Sequence, residues 1–338
     1  MATEISPRPK VSVMICVYNG ADVVMQAVDS ILAQTFTDFE LIVVDDGSTD
    51  DTAERVQACP DARLRFFQQA HLGIPQARNH ALAQARGAYL AVLDADDVAD
   101  PNRLEAQAAF LETHPEVVMV GTGYVQADQL LKRDKTVTPP LTDAAIRRAM
   151  LRGNPFCHST VMMRRSAIDK VGFYSEAFPF VQDYELWSRL AQAGKLANLP
   201  ELLVTRHYHS RSVSNNFRNE FYRFALFARA NHYAIQRLGA PKTAYFYTVR
   251  AIVLFFILDL YAILKNWRHK QTAVLPHELS APKPIKRVAV LWEHLTGYMV
   301  TSLIGRFGKS SHRTAGGAAG GRRKRANAAP DSCPITGH

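Results

Sequence analysis

Three groups of carboxylates and one arginine-bearing segment are the residues of this chain whose types and spacing suit chemistry. The first group is Asp45-Asp46-Gly47-Ser48. A carboxylate there can accept hydrogen bonds from a base N–H or a sugar hydroxyl, and Gly47 lets the backbone turn sharply beside a ligand. An ordinary capped βα loop uses the same residues, because acids suit a helix N-terminus. The second group is Asp94-Ala95-Asp96. In extended backbone, residues i and i+2 project to one side. Two carboxylates can then share a hard divalent cation, Mg2+ or Mn2+, whose shell is completed by phosphate and water. The third is Gln182-Asp183, just ahead of Tyr184-Glu185-Leu186-Trp187. A carboxylate in a cleft can take a proton from a hydroxyl, although spacing alone favours a plain helix N-cap. The fourth is Arg78 in Ala77-Arg78-Asn79, with His71 upstream. Arg78 can hold a phosphate or stack on a base; a surface helix arginine is the simpler reading. His158, His207 and His209 are candidate ligands, but lone histidines more often serve structure or solvent.

These residues need elements to position them. Residues 11–18 read as a short buried strand, and 39–44 as a second that ends abruptly at the first acidic group. Residues 64–68 form a weaker third strand, and 88–93 a fourth that ends at Asp94. Helical apolar spacing covers 22–34 at Val23, Val24, Ala27, Val28, Ile31 and Leu32. Helices are predicted over 74–86, closed by Gly87 as a C′ glycine, and from Pro101 to about Thr113. Thr49 or Asp50 is placed to cap the helix running to Ala58. Another strand is expected over 117–125. Strands alternating with helices of this length predict an α/β fold with a mostly parallel central sheet. Such sheets bind ligands beyond the carboxyl ends of their strands, where both acidic groups fall. Beyond residue 140 the pattern is mixed: helices at 142–152, 183–193 and 221–238, a strand at 158–163, and extended chain at 201–208.

The chain has 338 residues, 47% hydrophobic and 21% charged, which allows a sizeable core without a disulfide scaffold. Cys16, Cys59, Cys157 and Cys333 are scattered, with no zinc spacing, and read as reduced thiols. The run 11–17 is too short for a signal peptide core, so the expected location is the cytoplasm. The net charge of +9 conceals an asymmetry. Residues 1–220 carry 22 Lys+Arg and 27 Asp+Glu, a net −5, whereas 221–338 carry 18 and 4, a net +14. A basic block of that kind suits an anionic surface.

The stretches VSVMICVYNG (11–20), LIVVDDGSTDDT (41–52), GIPQARNHAL (73–82), AYLAVLDADDVADP (88–101), HSTVMMRR (158–165) and QDYELWSRL (182–190) occur in an order and spacing that resemble the family 2 glycosyltransferases, which have the GT-A fold. The resemblance spans about residues 9 to 215. It implies that Asp46 contacts the nucleoside, with Val17 and Asn19 lining the same pocket. Arg78 would sit near the base or diphosphate. Asp94 and Asp96 would form the metal motif, with Asp96 the closer ligand, and Asp183 would be the catalytic base of an inverting transfer. The family usually has Glu where this chain has Gln182, so one neighbouring negative charge is missing. The Gln-x-x-Arg-Trp motif of processive synthases is absent near 210–240, which argues for transfer of a single sugar.

The resulting expectation is a GT-A catalytic domain at 9–215, a helical basic extension at 216–310 and a disordered basic tail at 311–338. The activity implied moves one sugar from a UDP- or GDP-type donor to a hydroxyl of a saccharide or lipid-linked acceptor, in surface polysaccharide or glycolipid biosynthesis. The competing reading is a non-catalytic sugar-nucleotide-binding or membrane-scaffold protein. The apolar run 251–264 contains Asp259 and has 14 residues, short of the ~20 needed to span a bilayer. That leaves a core-packing and an interfacial helix both open. Residues 288–305, with Trp292 and Tyr298, repeat the ambiguity. Flanking Lys283, Lys286, Arg287, Arg306 and Lys309 suit peripheral attachment to the inner face of the cell membrane. Nothing resembles a nucleic-acid-reading motif, which argues against that partner.

Overall fold

The computed structural model describes residues 8–128, 133–208, 220–244 and 246. The apolar runs 251–264 and 288–305 and the basic tail lie outside the described residues. The chain begins with the expected alternation: β1 (Val11–Val17), α1 (Val24–Leu32), β2 (Phe39–Asp45), α2 (Thr52–Gln57), β3 (Leu64–Gln68), α3 (Ile74–Gln84) and β4 (Tyr89–Val92). There follow β5 (Val98–Ala99), α4 (Arg103–Thr113), β6 (Val117–Asp128), β7 (Arg133–Val137) and α5 (Asp143–Met150). After a 3-10 turn (His158–Thr160) come β8 (Met162–Arg164), α6 (Arg165–Val171), α7 (Gln182–Ala193), β9 (Lys195–Tyr208) and α8 (Glu220–Arg237).

The strands form one sheet in the order β3-β2-β1-β4-β8-β6-β9-β5, with β7 paired to β6. The half from β3 to β4 is wholly parallel. Beyond β4 the sheet changes character, because β8 runs antiparallel to both β4 and β6. The parallel rule from the βαβ pattern therefore holds for the first four strands. It is interrupted where the segment 158–163 folds as a turn followed by a short strand, not one strand, and parallel pairing resumes between β6 and β9.

Side chains alternate across β1. Val11, Val13, Ile15 and Val17 pack with α1 and α4, whereas Met14 packs with α3, α6, α7 and α8 on the other face. Strands covered on both faces must be apolar throughout, which explains why 11–17 and 39–44 read as unbroken apolar runs. In α1 the buried residues Val24, Ala27, Val28 and Ile31 recur at helical spacing. Each such valine or isoleucine fully withdrawn from water stabilises the fold by about 1.5–3 kcal/mol.

Gly87 does not close α3. That helix ends at Ala85, whose backbone is extended (φ −65°, ψ 138°). A Cβ on Gly87 would fall 2.5 Å from the Ser12 amide nitrogen, so the residue is needed for close approach to β1. Its own N–H donates to Ser12 Oγ at 2.8 Å. The cap of α2 also differs from expectation. Asp51 stands at the N-cap position without a side-chain bond, while Asp50 accepts from the Thr52 and Ala21 amides.

α8 packs on α7. Leu226, Ala230 and Ala234 join the core, and Asn231 donates to the Tyr184 hydroxyl at 2.7 Å. Arg237 donates to Glu185 Oε1 at 2.9 Å, joining Arg189 on the same buried carboxylate. Among the described residues, no helix is long and apolar enough to cross a membrane.

Candidate active site

Parallel β2, β1 and β4 lie side by side and end at one edge of the sheet. Asp45 is level with Val17, and Met14 is level with Val92. Asp46 and Asp94 therefore leave the same edge, two strand spacings or about 10 Å apart. This edge is the ligand-binding edge of an α/β sheet.

The two acids of the first group have different tasks. Asp45 is fully buried and folds its own loop: Oδ1 accepts from Ser48 Oγ and the Ser48 amide, and Oδ2 from Gln68 Nε2 at 2.9 Å. Asp46 accepts from Gln69 Nε2 (2.7 Å), the Leu72 amide (3.0 Å) and the Gly73 amide (2.9 Å), with His71 Nδ1 at 2.9 Å. Asp46 thus organises loop 69–73. Gly47 permits this closeness: its φ is +76°, and a Cβ would fall 2.7 Å from the His71 amide. Asp46 N–H donates to Val17 O at 2.8 Å. Asn19, itself at φ 50°, accepts from the Thr49 amide and donates to Ser48 Oγ, closing the β1 loop onto the β2 loop. Beside them the exposed Tyr18 ring stacks on His71, with centroids 3.9 Å apart. The sequence singled out neither Tyr18 nor this stack, because the partners lie in separate loops.

The second group sits in a dense polar network. Asp94 Oδ1 accepts from Arg78 Nη2 at 2.9 Å and lies 3.0 Å from His158 Nδ1. Arg78 is therefore no surface residue: its side chain is 13% exposed, and its guanidinium lies over the Tyr174 ring. Burial opposes ionisation of Asp94, but His158 and Arg78 outweigh it and hold the carboxyl well below its ordinary range. Asp97, buried, is pushed up to about 8 by burial and by the charges of Asp94 and Asp96. It accepts from Ser159 Oγ and from the His207 amide at 2.9 Å, and His207 Nδ1 donates to Asp96 O at 2.8 Å. Buried Arg103 holds the strand end from below, donating to Val92 O at 2.8 Å and Val161 O at 3.2 Å. Burial lowers its pKa to about 10. Cys16 and Cys157 flank this network, and burial pushes both thiols up to about 12. That agrees with cysteines acting as small protonated hydrophobes.

Among the described residues, no three His, Cys, Asp or Glu side chains form a set able to hold a metal ion alone. Asp94 and Asp96 stand on a turn closed by Asp97 N–H donating to Asp94 O at 3.1 Å, not on the extended backbone expected from the sequence; carboxylates on such a turn fit a different case. Mg2+ or Mn2+ commonly binds through one or two carboxylates and completes its shell with substrate phosphate and water.

Asp183 is not the N-cap of α7. Val181 holds that position in the left-handed region (φ 55°, ψ 20°), an unusual conformation for a β-branched residue. Asp183 sits in the first turn, and its Oδ2 accepts from Asn154 Nδ2 at 2.7 Å. Trp187, one turn beyond Asp183 in α7, stacks on His158, whose Nδ1 lies 3.0 Å from both Asp94 Oδ1 and Arg78 Nη2. The loop after β4, α3 and α7 are thereby brought into one region. Gln182 is buried, and its Oε1 has no hydrogen-bond partner among the described residues.

The residues that sequence reasoning undervalued are Asn154, Ser159, Asp97, Tyr174 and His158. Asp97 adjoins the second acidic group and His158-Ser159 open HSTVMMRR, whereas Asn154 and Tyr174 stand apart from any cluster along the chain. HSTVMMRR was part of the recognised pattern, but only the antiparallel pairing of β8 with β4 carries His158 to Asp94.

The profile of the family described as Glycosyl transferase family 2 matches residues 12–172. The EpsE protein of Bacillus subtilis, named as a glycosyltransferase, is 33% identical over 271 residues, covering 78% of this chain and 94% of its own. An Escherichia coli protein named UDP-Glc:alpha-D-GlcNAc-diphosphoundecaprenol beta-1,3-glucosyltransferase WfaP is 31% identical over 210 residues, covering 61% of this chain and 80% of its own. Among solved structures, residues 1–349 of S. aureus TarS superpose with a TM-score of 0.55 at 21% identity, over 72% of this chain and 73% of that one. The same TarS segment in complex with UDP-GlcNAc also gives 0.55, at 20% identity, over 68% and 70%. At that identity the likeness establishes the GT-A architecture. The chain belongs to glycosyl transferase family 2 and is a glycosyltransferase with a GT-A fold.

Proposed function

We propose that this glycosyltransferase moves one sugar from a UDP- or GDP-type donor to a hydroxyl of a saccharide or lipid-linked acceptor, with inversion, in surface polysaccharide or glycolipid biosynthesis. The observation that carries the reading is that Asp94, held by Arg78 at 2.9 Å and His158 at 3.0 Å at the ligand-binding edge of the sheet, is joined through the His158–Trp187 stack to α7, the helix that bears Asp183. TarS binding UDP-GlcNAc, and WfaP named for a UDP-glucose donor and a lipid-linked acceptor, support the substrate classes.

In this reading the nucleoside lies over Val17, Asn19 and Asp46, and the Tyr18–His71 stack offers it an aromatic face. Arg78, early in α3, faces the diphosphate. Mg2+ or Mn2+, held by Asp94 and by Asp96 as the closer ligand, would neutralise charge on the departing diphosphate. Asp183 takes the proton from the acceptor hydroxyl. The oxygen attacks the anomeric carbon from the face opposite the diphosphate. The carbon–oxygen bond to the diphosphate breaks, and its electron pair leaves with the phosphate, so the anomeric configuration inverts. Asn154 keeps Asp183 oriented for this step.

The catalytic domain is taken as 9–215, with α8 of the following segment packed on its α7. Residues 216–310 are a basic extension suited to the anionic inner face of the membrane, and 311–338 a basic tail. The location that follows is cytoplasmic and membrane-peripheral. The test is a thermal-shift screen of UDP- and GDP-sugars with and without Mn2+, followed by turnover with the stabilising donor. A ligand at 100 times its Kd stabilises the fold by about 2.7 kcal/mol. If no nucleotide sugar stabilises the protein in either condition, the reading fails.

A further inference from the structure

We propose that His158 is a positioning residue: it sets the orientation of Asp94 towards the donor diphosphate, with the Tyr174 hydroxyl anchoring the far edge of its ring. The inference rests on the donor-site reading above. Four contacts define the ring, which is only 8% exposed. Nδ1 lies 3.0 Å from Asp94 Oδ1 and 3.0 Å from Arg78 Nη2. Nε2 lies 3.0 Å from the Tyr174 hydroxyl. The ring stacks on Trp187, with centroids 6.1 Å apart and planes at 26°.

Asp94 Oδ1, Arg78 Nη2 and His158 Nδ1 form one close triangle, so the ring edge and the guanidinium together hold the carboxylate at Oδ1. On the far edge of the ring, Nε2 is hydrogen-bonded to the Tyr174 hydroxyl, which stops the imidazole turning away from Asp94. The hydroxyl is itself held in place. Asn79 accepts from the Tyr174 amide and donates to the Tyr174 carbonyl, both at 2.9 Å, clamping its backbone. Arg78 and Asn79 are neighbours in α3, so one helix turn supplies both the guanidinium on Asp94 and the clamp behind its histidine. Trp187 stands one turn beyond Asp183 in α7. The imidazole is therefore packed between the donor-side carboxylate and the helix of the base. Groups that orient a ligating side chain in this way are worth 10–100-fold in metal affinity.

The test uses the full-length protein, with Mn2+ and either UDP or GDP as probe, whichever binds the wild type more tightly by calorimetry. His158→Phe keeps the stacked ring and loses both ring nitrogens; Mn2+–nucleotide affinity is expected to fall about 10- to 100-fold. His158→Asn places an amide near the Nδ1 position and is expected to recover most of that loss. Tyr174→Phe removes the buried hydroxyl that anchors Nε2, lets the ring turn, and is expected to cost about two- to tenfold. The double variant His158→Phe/Tyr174→Phe is expected to be no weaker than His158→Phe, because the hydroxyl acts only through the imidazole. Melting temperatures without ligand are measured alongside. Wild-type affinity in His158→Phe would overturn the proposal, as would fully additive losses in the double variant. Equal destabilisation by Phe and Asn with unchanged affinity would also overturn it. If His158→Phe does not fold, the pair Tyr174→Phe and His158→Asn carries the test: wild-type affinity in Tyr174→Phe overturns the proposal. A wild-type protein that binds neither Mn2+–nucleotide would overturn the donor reading itself and this inference with it.

Discussion

Asp183→Asn separates binding from chemistry at this site. Asp183 Oδ2 accepts from Asn154 Nδ2 at 2.7 Å, and an asparagine can present its carbonyl oxygen to the same donor. The side chain lies in the first turn of α7 and is partly exposed, so neither a cavity nor a buried orphan is created. Surface changes of that kind usually stay within about 0.5 kcal/mol of wild-type stability. The nucleotide reading places the base on the acceptor side, so donor affinity is expected to change less than about threefold, below 0.7 kcal/mol. The chemical step loses its base. A positioned general base contributes about 10²- to 10⁴-fold, which at 1.36 kcal/mol per decade is about 2.7–5.4 kcal/mol of barrier. The assay pairs kcat at saturating donor and acceptor with calorimetric titration of Mn2+–nucleotide. A kcat within tenfold of wild type would remove Asp183 from the role of base. A loss of nucleotide binding equal to the loss of kcat would instead place it in the donor site.

Other predictions follow from the same network. Asp94→Asn leaves buried Arg78 without its anion; Mn2+-dependent nucleotide binding is expected to fall at least tenfold, with a lower melting temperature, both read by thermal shift. Arg103→Met removes the donor to Val92 O and Val161 O beneath the acidic strand end, and chemical denaturation is expected to show a loss of about 2–4 kcal/mol. Buried Glu40 resists the effect of its own burial because Ser12, Arg65 and Arg86 donate to it, and its pKa is lowered. A lowered folded pKa adds stability that is present above the unfolded value and lost as pH falls through the folded one. Wild-type melting temperature is therefore expected to drop more steeply below about pH 4.3 than that of Glu40→Gln, measured by calorimetry across acid pH. Arg237→Ala removes one of two arginines on buried Glu185 and is expected to loosen α8 from α7, seen as faster amide exchange along α8.

The sequence by itself determined the parallel half of the sheet. β1, β2 and β4 are buried on both faces, and that requirement writes unbroken apolar runs into the chain. The acids that end them, Asp46 and Asp94, were legible for the same reason: polar residues directly after a buried strand lie at its open edge. What local pattern could not decide was partnership. Asp45 and Asp46 are adjacent and chemically identical, yet one folds its own loop and the other holds loop 69–73, because the side chains of a strand end point to opposite faces. Arg78 reads as a surface helix residue until α3 is laid on β1 and β2. His158 lies 64 residues from Asp94 in the chain, and only the reversal of β8 against β4 brings them to 3.0 Å. The position of Asp183 likewise depends on Val181 taking a left-handed turn that no propensity favours. Burial periodicity is a local property of the chain and survives in its sequence. Hydrogen bonds between residues from separate elements exist only once tertiary packing has chosen which elements meet.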